Sequence, residues 1–229
     1  MTTSTTGSAP TGTGRRAGLD RDEIVDRALA LVEAHGAAAL TMRKLATELG
    51  VTTTTIYWHV GGRDELVTAV ITRLSQQQAD VEISGNHPRD RVMSVVRHLW
   101  SSAIAHRNVT ALAHQVGATS LLEMPLEVAL ARELEASGLS GDDVRDALRA
   151  ILMCIAGFLV VAFRSDGRVP EPHQERSLWR QVDDRQIDPG TLAALQRPPD
   201  LPSLFETTLE AVVGAFVPDS PTTSGAHRD

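Results

Sequence analysis

The sequence is short of several residue types, and each shortage excludes something. A single cysteine, Cys154, stands among 229 residues, so no internal disulfide and no extracellular cysteine framework is expected. Aromatic residues make up 3% of the chain, with one Tyr, three Trp and four Phe, so a cluster of them carries information. Lysine occurs once, at Lys44, and the other 21 basic side chains are Arg. Long apolar runs are missing: the longest spans 150–163, short of the about 20 residues a membrane helix needs, and it is expected to be a buried core helix. There is no Gly-rich phosphate loop and no nucleophile elbow, and an apolar helix is a poor setting for a Cys154 thiolate, so no enzymatic activity and no cofactor is expected.

What is present begins with charge. The net charge of −7 argues at first sight against a nucleic-acid partner, but it is unevenly spread. Residues 15–63 hold seven basic and six acidic side chains, whereas from residue 64 onward fifteen basic face twenty-three acidic. An acidic C-terminal part therefore masks a near-neutral N-terminal one. Segments 1–17 and 218–229 are rich in Thr, Ser, Gly and Pro and are expected to be disordered tails. The first of them lacks the apolar stretch of a signal peptide, which makes a cytoplasmic protein the expectation.

The helical period dominates, and no strand pattern competes with it. Ile24, Ala28, Leu31 and Val32 form a stripe that stops at Gly36. Thr41 can cap a second, short helix that stops at Gly50, and a third runs from about Thr53 to His59. Gly61–Gly62 breaks the pattern before a linking helix over 65–84. Further on, Pro88 suits a helix start, Asn108 a break, Gly117 another, Pro125 a first helical turn and Ser137–Gly138 a stop. Asp142–Phe163 is apolar nearly all round and is expected to be buried on most sides. Segment 167–200 holds Pro170, Pro172, Pro189, Pro198 and Pro199 and is expected to be a long loop with at most one short helix near Ser177–Val182. The last helix carries Leu201, Leu204, Phe205, Leu209, Val212, Val213 and Phe216 at helical spacing. The chain is predicted to be all-α.

Residues 41–60 read TMRKLATELGVTTTTIYWHV. Two short helices joined by a Leu-Gly-Val turn make a helix-turn-helix, with Leu45, Ala46, Leu49, Val51 and Ile56 spaced to pack the pair. The N-terminal part of the second helix is then free to enter a major groove. Thr53, Thr54 and Thr55 would be exposed there, with hydroxyls for base edges and methyl groups for thymine. Tyr57 and His59 can donate to phosphate oxygens, Arg63 supplies charge at the next helix start, and Arg43 can reach a guanine edge. By itself this pattern also fits a generic helical hairpin whose threonines only cap helices.

From about Ile24 to Leu74 the sequence resembles the DNA-binding domain of the TetR family of transcriptional regulators. The stretch T-x-R-K-L-A-x-x-L-G-V followed by T-I-Y-W-H-V is particularly similar to the tetracycline repressor branch. The resemblance implies an N-terminal three-helix helix-turn-helix domain over 18–64. It also implies a C-terminal helical ligand-binding and dimerisation domain over 65–217. Contacts to double-stranded DNA would fall at Thr41, Arg43, Thr53, Thr54, Thr55, Tyr57, Trp58, His59 and Arg63. The chain departs from the pattern at Gly61 and Gly62, where the family carries polar or basic residues, which removes one phosphate contact. It departs again in the run Thr52–Thr55, so its operator is not expected to match a known one.

The resemblance further implies a homodimer built through 142–166 and 201–217, a palindromic operator and a small-molecule effector bound among the central helices. Scarce residues there make Trp100, His106, His114, Gln115, Met124 and Phe158 the candidates for contacting that effector, with Trp179 as a possible lid. Each also has a plainer role open to it, Trp100 and Phe158 as core and His106 at a helix end. His98, His106 and His114 recur every eight residues, but Asn108 is expected to break the helix between them, and no metal site is expected. The tetracycline repressor branch places a drug- and magnesium-binding His near the end of its fourth helix. Gln76–Gln77–Gln78–Ala79 occupies that place here, which argues against a tetracycline–magnesium effector. The expected function is a ligand-responsive repressor. Two alternatives stay open: an activator or effector-free regulator of the same fold, and a helical small-molecule carrier or enzyme with a vestigial hairpin.

Overall fold

The computed structural model describes residues 19–80, 82–164, 178–182 and 187–218. The tails expected at 1–17 and beyond Pro218, and much of 167–200, lie outside the described residues. Every regular element among those described is helical. Helix α1 (Arg21–His35) starts at Asp20, whose carboxylate accepts the Glu23 N–H at 2.7 Å, with Asp22 and Glu23 favouring the positive end of the helix. A 3-10 turn, Ala37–Ala39, leads into α2 (Met42–Leu49), capped by Thr41. Helix α3 (Thr53–Val60) is capped by Thr52, and α4 (Arg63–Gln77) follows immediately. The remainder is α5 (Pro88–Ala105), α6 (Arg107–Gln115), α7 (Thr119–Ala136), α8 (Asp142–Arg164), α9 (Pro189–Leu195) and α10 (Leu201–Phe216).

The apolar stripes close into two cores. The first gathers Ile24, Ala28 and Val32 of α1, Leu45 of α2, Ile56 of α3 and Leu66, Val70 and Leu74 of α4. It also takes in Val109, Leu112 and Ala113 of α6 and Leu122 of α7, so α6 is packed into the same core as the helix-turn-helix. The second core joins Val92, Val96 and Leu99 of α5 to Leu126, Leu130 and Leu134 of α7. From α8 it draws Ala147, Ile151 and Ile155, and from α10 Phe205, Leu209 and Val213.

Several elements differ from their sequence expectation. Pro125 lies well inside α7, which begins at Thr119. It leaves the Leu121 carbonyl without a helical donor, but burial of Leu122, Leu126, Leu130 and Leu134 along one face holds the helix together. The break between α5 and α6 falls at His106 (φ −106°, ψ 36°), not at Asn108. Asn108 sits in the first turn of α6 and donates from Nδ2 to the Glu33 carbonyl at 2.8 Å. The linking helix ends at Gln77. The 167–200 segment contains α9, started by Asp188 accepting the Thr191 N–H at 2.9 Å, where a loop was expected.

The largest difference concerns α8. It is buried only along Ala147, Ile151, Ile155 and Leu159. Met153 is 76% exposed, and Val160 and Val161 are close to half exposed. Among the described residues, Asp142–Phe163 is the one helix long and apolar enough to cross a membrane, and 17% of its apolar window is buried. Its buried stripe packs against α5, α7 and α10 in the second core, and Asp142, Asp143, Arg145, Asp146 and Arg149 crowd its first two turns.

Candidate nucleic-acid interface and ligand cavity

The helix-turn-helix owes its geometry to one glycine and two threonine caps. Gly50 adopts φ 68°, ψ 30°, a left-handed conformation that costs a residue with a Cβ about 1 kcal/mol or more. This lets the Val51 N–H reach back to the Ala46 carbonyl at 3.0 Å. The Thr41 hydroxyl accepts the Lys44 N–H at 3.2 Å, and the Thr52 hydroxyl accepts the Thr55 N–H at 3.3 Å. With Leu45, Ala46 and Ile56 buried beneath the turn, the outer face of α3 stands free.

That face carries most of the residues expected on it. Thr53 and Thr54 are exposed, Tyr57 is 52% exposed and Trp58 82%. His59 is half-buried, with its ring edge-on to Trp58 at 4.8 Å between centroids. Thr41, Arg43 and Arg63 are exposed around the same helices. Thr55 differs from the expectation of an exposed side chain. It is half-buried, and its hydroxyl lies 3.0 Å from that of Thr52, because the third residue of the helix completes the cap. A water-exposed Trp at this level is unusual.

Electrostatics favour this face further. The acids of α1 are engaged elsewhere: Asp22 and Asp26 pair with Arg73 of α4 at 2.7 and 3.1 Å. Glu48 pairs with Arg27 at 2.8 Å, and Glu33 with His106 at 2.6 Å. Arg43, Lys44 and Arg63 stand beside α3 while these four carboxylates are paired elsewhere; Asp64 and Glu65 follow Arg63 in the first turn of α4, where Glu65 accepts the Gly62 N–H at 3.0 Å.

A cavity of about 300 Å³ opens between α6, α7 and α8, bounded by Leu99 of α5. Leu152, Ile155, Ala156, Leu159, Val160 and Phe163 form an apolar wall on α8, facing Thr110, Ala111, His114 and Gln115 of α6 and Thr119 and Glu123 of α7. Of the residues singled out from the sequence, His114 and Gln115 line it. Trp100 stacks on Phe205 at 4.4 Å, and Phe158 stands edge-on to both rings at 6.3 and 5.4 Å, an aromatic cluster bordering the second core. His106 faces Glu33 instead, tying the α5–α6 junction to α1. Met124 is half exposed at the surface. Trp179 is helical with Leu178, at the place where one short helix was expected near Ser177–Val182, and most of its neighbours along the chain are outside the described residues.

Sequence reasoning missed Glu123. Burial, and secondarily the like charge of Glu127, push its carboxyl up to about 7. The available signal was spacing: Thr119 and Glu123, like Thr110 and His114, are four apart and share a face of their helix. Among the described residues, no group of three or more His, Cys, Asp or Glu comes together as a metal site.

Comparison with known proteins agrees with this architecture. Residues 24–70 match the model of the bacterial regulatory proteins, tetR family. Tetracycline repressor protein class D of Escherichia coli is 36% identical over 65 residues, 28% of this chain, which spans 30% of that repressor's length. The apo structure of ActR from Streptomyces coelicolor superposes with a TM-score of 0.71 at 23% identity, covering 88% of this chain and 96% of that one. ActR in complex with actinorhodin gives 0.66 at 24%, over 87% and 97% of the two chains. BioQ with its double-stranded DNA operator gives 0.55 at 24%, over 87% and 99%. At these identities the superpositions speak for the fold alone, and the likeness to the tetR family of bacterial regulatory proteins rests in sequence on residues 24–70, the helix-turn-helix region and the start of the linking helix.

Proposed function

We propose that the protein is a ligand-responsive DNA-binding repressor that acts in the cytoplasm as a homodimer and leaves a palindromic operator when a small molecule occupies the α6–α7–α8 cavity. The observation that carries this reading is the free outer face of α3, with Thr53, Thr54, Tyr57 and Trp58 presented to solvent on a turn fixed by Gly50. In this reading residues 18–64 form the DNA-binding unit, α4 links it onward, and the rest binds the effector and dimerises. Thr53 and Thr54 face base edges, Arg43 a guanine, and Thr41, Tyr57, His59 and Arg63 the phosphates. Trp58 covers the sugar-phosphate edge, and Thr55 contributes its methyl group, its hydroxyl being used in the cap.

Dimerisation is supported by the uncovered apolar faces. Met153, Ala156, Gly157, Val160 and Val161 of α8 and Leu204, Ala211 and Ala215 of α10 are exposed in the single chain. Paired with their symmetry mates they would form a four-helix interface. Two recognition helices would then stand about 34–36 Å apart, one turn of DNA. Ala156 and Val160 also line the cavity, so the interface and the ligand site share a wall. Fold neighbours hold both kinds of partner, actinorhodin in ActR and an operator in BioQ.

Coupling would run through α6. Its C-terminal end supplies His114 and Gln115 to the cavity, its middle is packed into the helix-turn-helix core, and its start is clamped to α1 by His106 and Asn108 on Glu33. A ligand that displaces α6 thereby displaces α1 and the recognition helix. The test is selection of a binding sequence from random duplex DNA, followed by titration of variants. Arg43→Ala should lose about 1–3 kcal/mol on the selected sequence only, while Tyr57→Phe and His59→Ala weaken binding to all sequences. Failure to select any sequence overturns the DNA-binding reading, and a uniform loss in all three variants overturns the assigned roles.

A further inference from the structure

The cavity is divided chemically. The α8 side offers only apolar groups, and the opposite side brings His114, Gln115, Thr119 and Glu123 together. Among the described residues Glu123 is the one carboxylate in the lining, and neither Arg nor Lys lines the cavity. Among the described residues no hydrogen bond or ion pair engages that carboxylate, and Glu127, one turn along α7, adds a second negative charge nearby. Glu123 is half-buried, and a carboxylate partly withdrawn from water without a counter-charge is costly in its charged form, which pushes its pKa up.

On the reading of this cavity as the effector site, we propose that it takes a small apolar molecule carrying one basic amine, with the ammonium group bound by Glu123 and the apolar body against the α8 wall. An ammonium supplies the missing counter-charge and donates charge-assisted hydrogen bonds to the carboxylate. An acidic ligand would meet Glu123 with no Arg or Lys among the described lining residues to offset the repulsion. A neutral ligand would gain only the apolar contact and leave the carboxylate unpaired. The volume, about 300 Å³, is at the small end for ligand pockets and suits a fused bicyclic body with a short amine arm.

Three probes of nearly equal shape test this on the full chain by calorimetry at about pH 8, where a primary amine is still protonated: 1-naphthylmethylamine, 1-naphthalenemethanol and 1-naphthoic acid. The amine should bind about tenfold or more tightly than the alcohol, and the acid more weakly than either. Glu123→Gln should bring the amine to the affinity of the alcohol, and Glu123→Asp, which keeps the charge, should retain a preference for the amine. Equal affinities, a preference for the acid, an amine preference that survives Glu123→Gln, or no binding by any probe overturns the proposal. Release of the selected DNA separates this inference from the reading it rests on. Glu123-dependent binding of the amine without DNA release supports the amine site and overturns the effector reading. Release by the acid or alcohol as readily as by the amine overturns the amine class and supports the effector reading.

Discussion

Single residues carry the chemistry of both candidate sites, and Glu123 is the most telling. Its carboxyl titrates near 7 in the folded chain, against an ordinary value of 4.5, so the folded state holds this proton more tightly than the unfolded state. The resulting contribution to stability is complete below about pH 4.5 and is lost as the pH rises through about 7. Glutamine mimics the protonated acid, so Glu123→Gln should melt with the parent chain at low pH and above it at about pH 8. Thermal melts of both chains across that range check this; a variant that melts lower at about pH 8 would contradict it. On the DNA side, Thr52 and Thr55 divide the labour of a run that looks uniform in the sequence. Thr52 caps α3, Thr55 completes the cap, and Thr53 and Thr54 remain free. Thr52→Ala should therefore cost about 1 kcal/mol of stability, and Thr52→Ser much less, measured by urea denaturation.

At the scale of elements, α6 and α8 hold the most consequence. Helix α6 is short, yet it belongs to the core of the helix-turn-helix and also lines the cavity. In the proposed function this would give a ligand a mechanical route to α1 without contact to the residues assigned to DNA. Its start at His106 rather than Asn108 matters, because the break frees the imidazole to meet Glu33 at 2.6 Å and places the Asn108 amide on the Glu33 carbonyl. Helix α8 is amphipathic in an unusual sense, with both faces apolar: one packs inward on α5, α7 and α10, and the other faces out. Met153→Arg and Ala211→Arg, one on each exposed face, should convert the proposed dimer to monomer and weaken binding to a palindromic operator by about 100-fold or more, with little change in helix content. Sedimentation and DNA titration of the two variants test this, and an unchanged dimer would place the interface elsewhere.

For the whole molecule, what the sequence by itself determined and what only the tertiary structure decided separate along a physical line. Local terms are written in the chain: the caps Asp20, Thr41 and Thr52, the left-handed Gly50, the stop at Gly36 and the start at Pro88 each act within a few residues. They made the helix-turn-helix and the all-α class legible, along with most of the exposed face of α3. Where burial outweighs a local signal the sequence misled. Pro125 is carried inside α7 by four buried leucines, and α9 forms at Pro189–Leu195 in a proline-rich stretch that suggested loop there and at most one short helix, near Ser177–Val182. An apolar stretch such as Asp142–Phe163 also reads the same whether its partner is its own core or a second chain, because hydrophobicity has no direction. The cavity was the least legible feature. His114 and Gln115 were found by scarcity, but Glu123 became significant only when α6, α7 and α8 enclosed it. Its chemistry comes from lost water and a missing counter-charge, and both of these are set by neighbours distant in sequence.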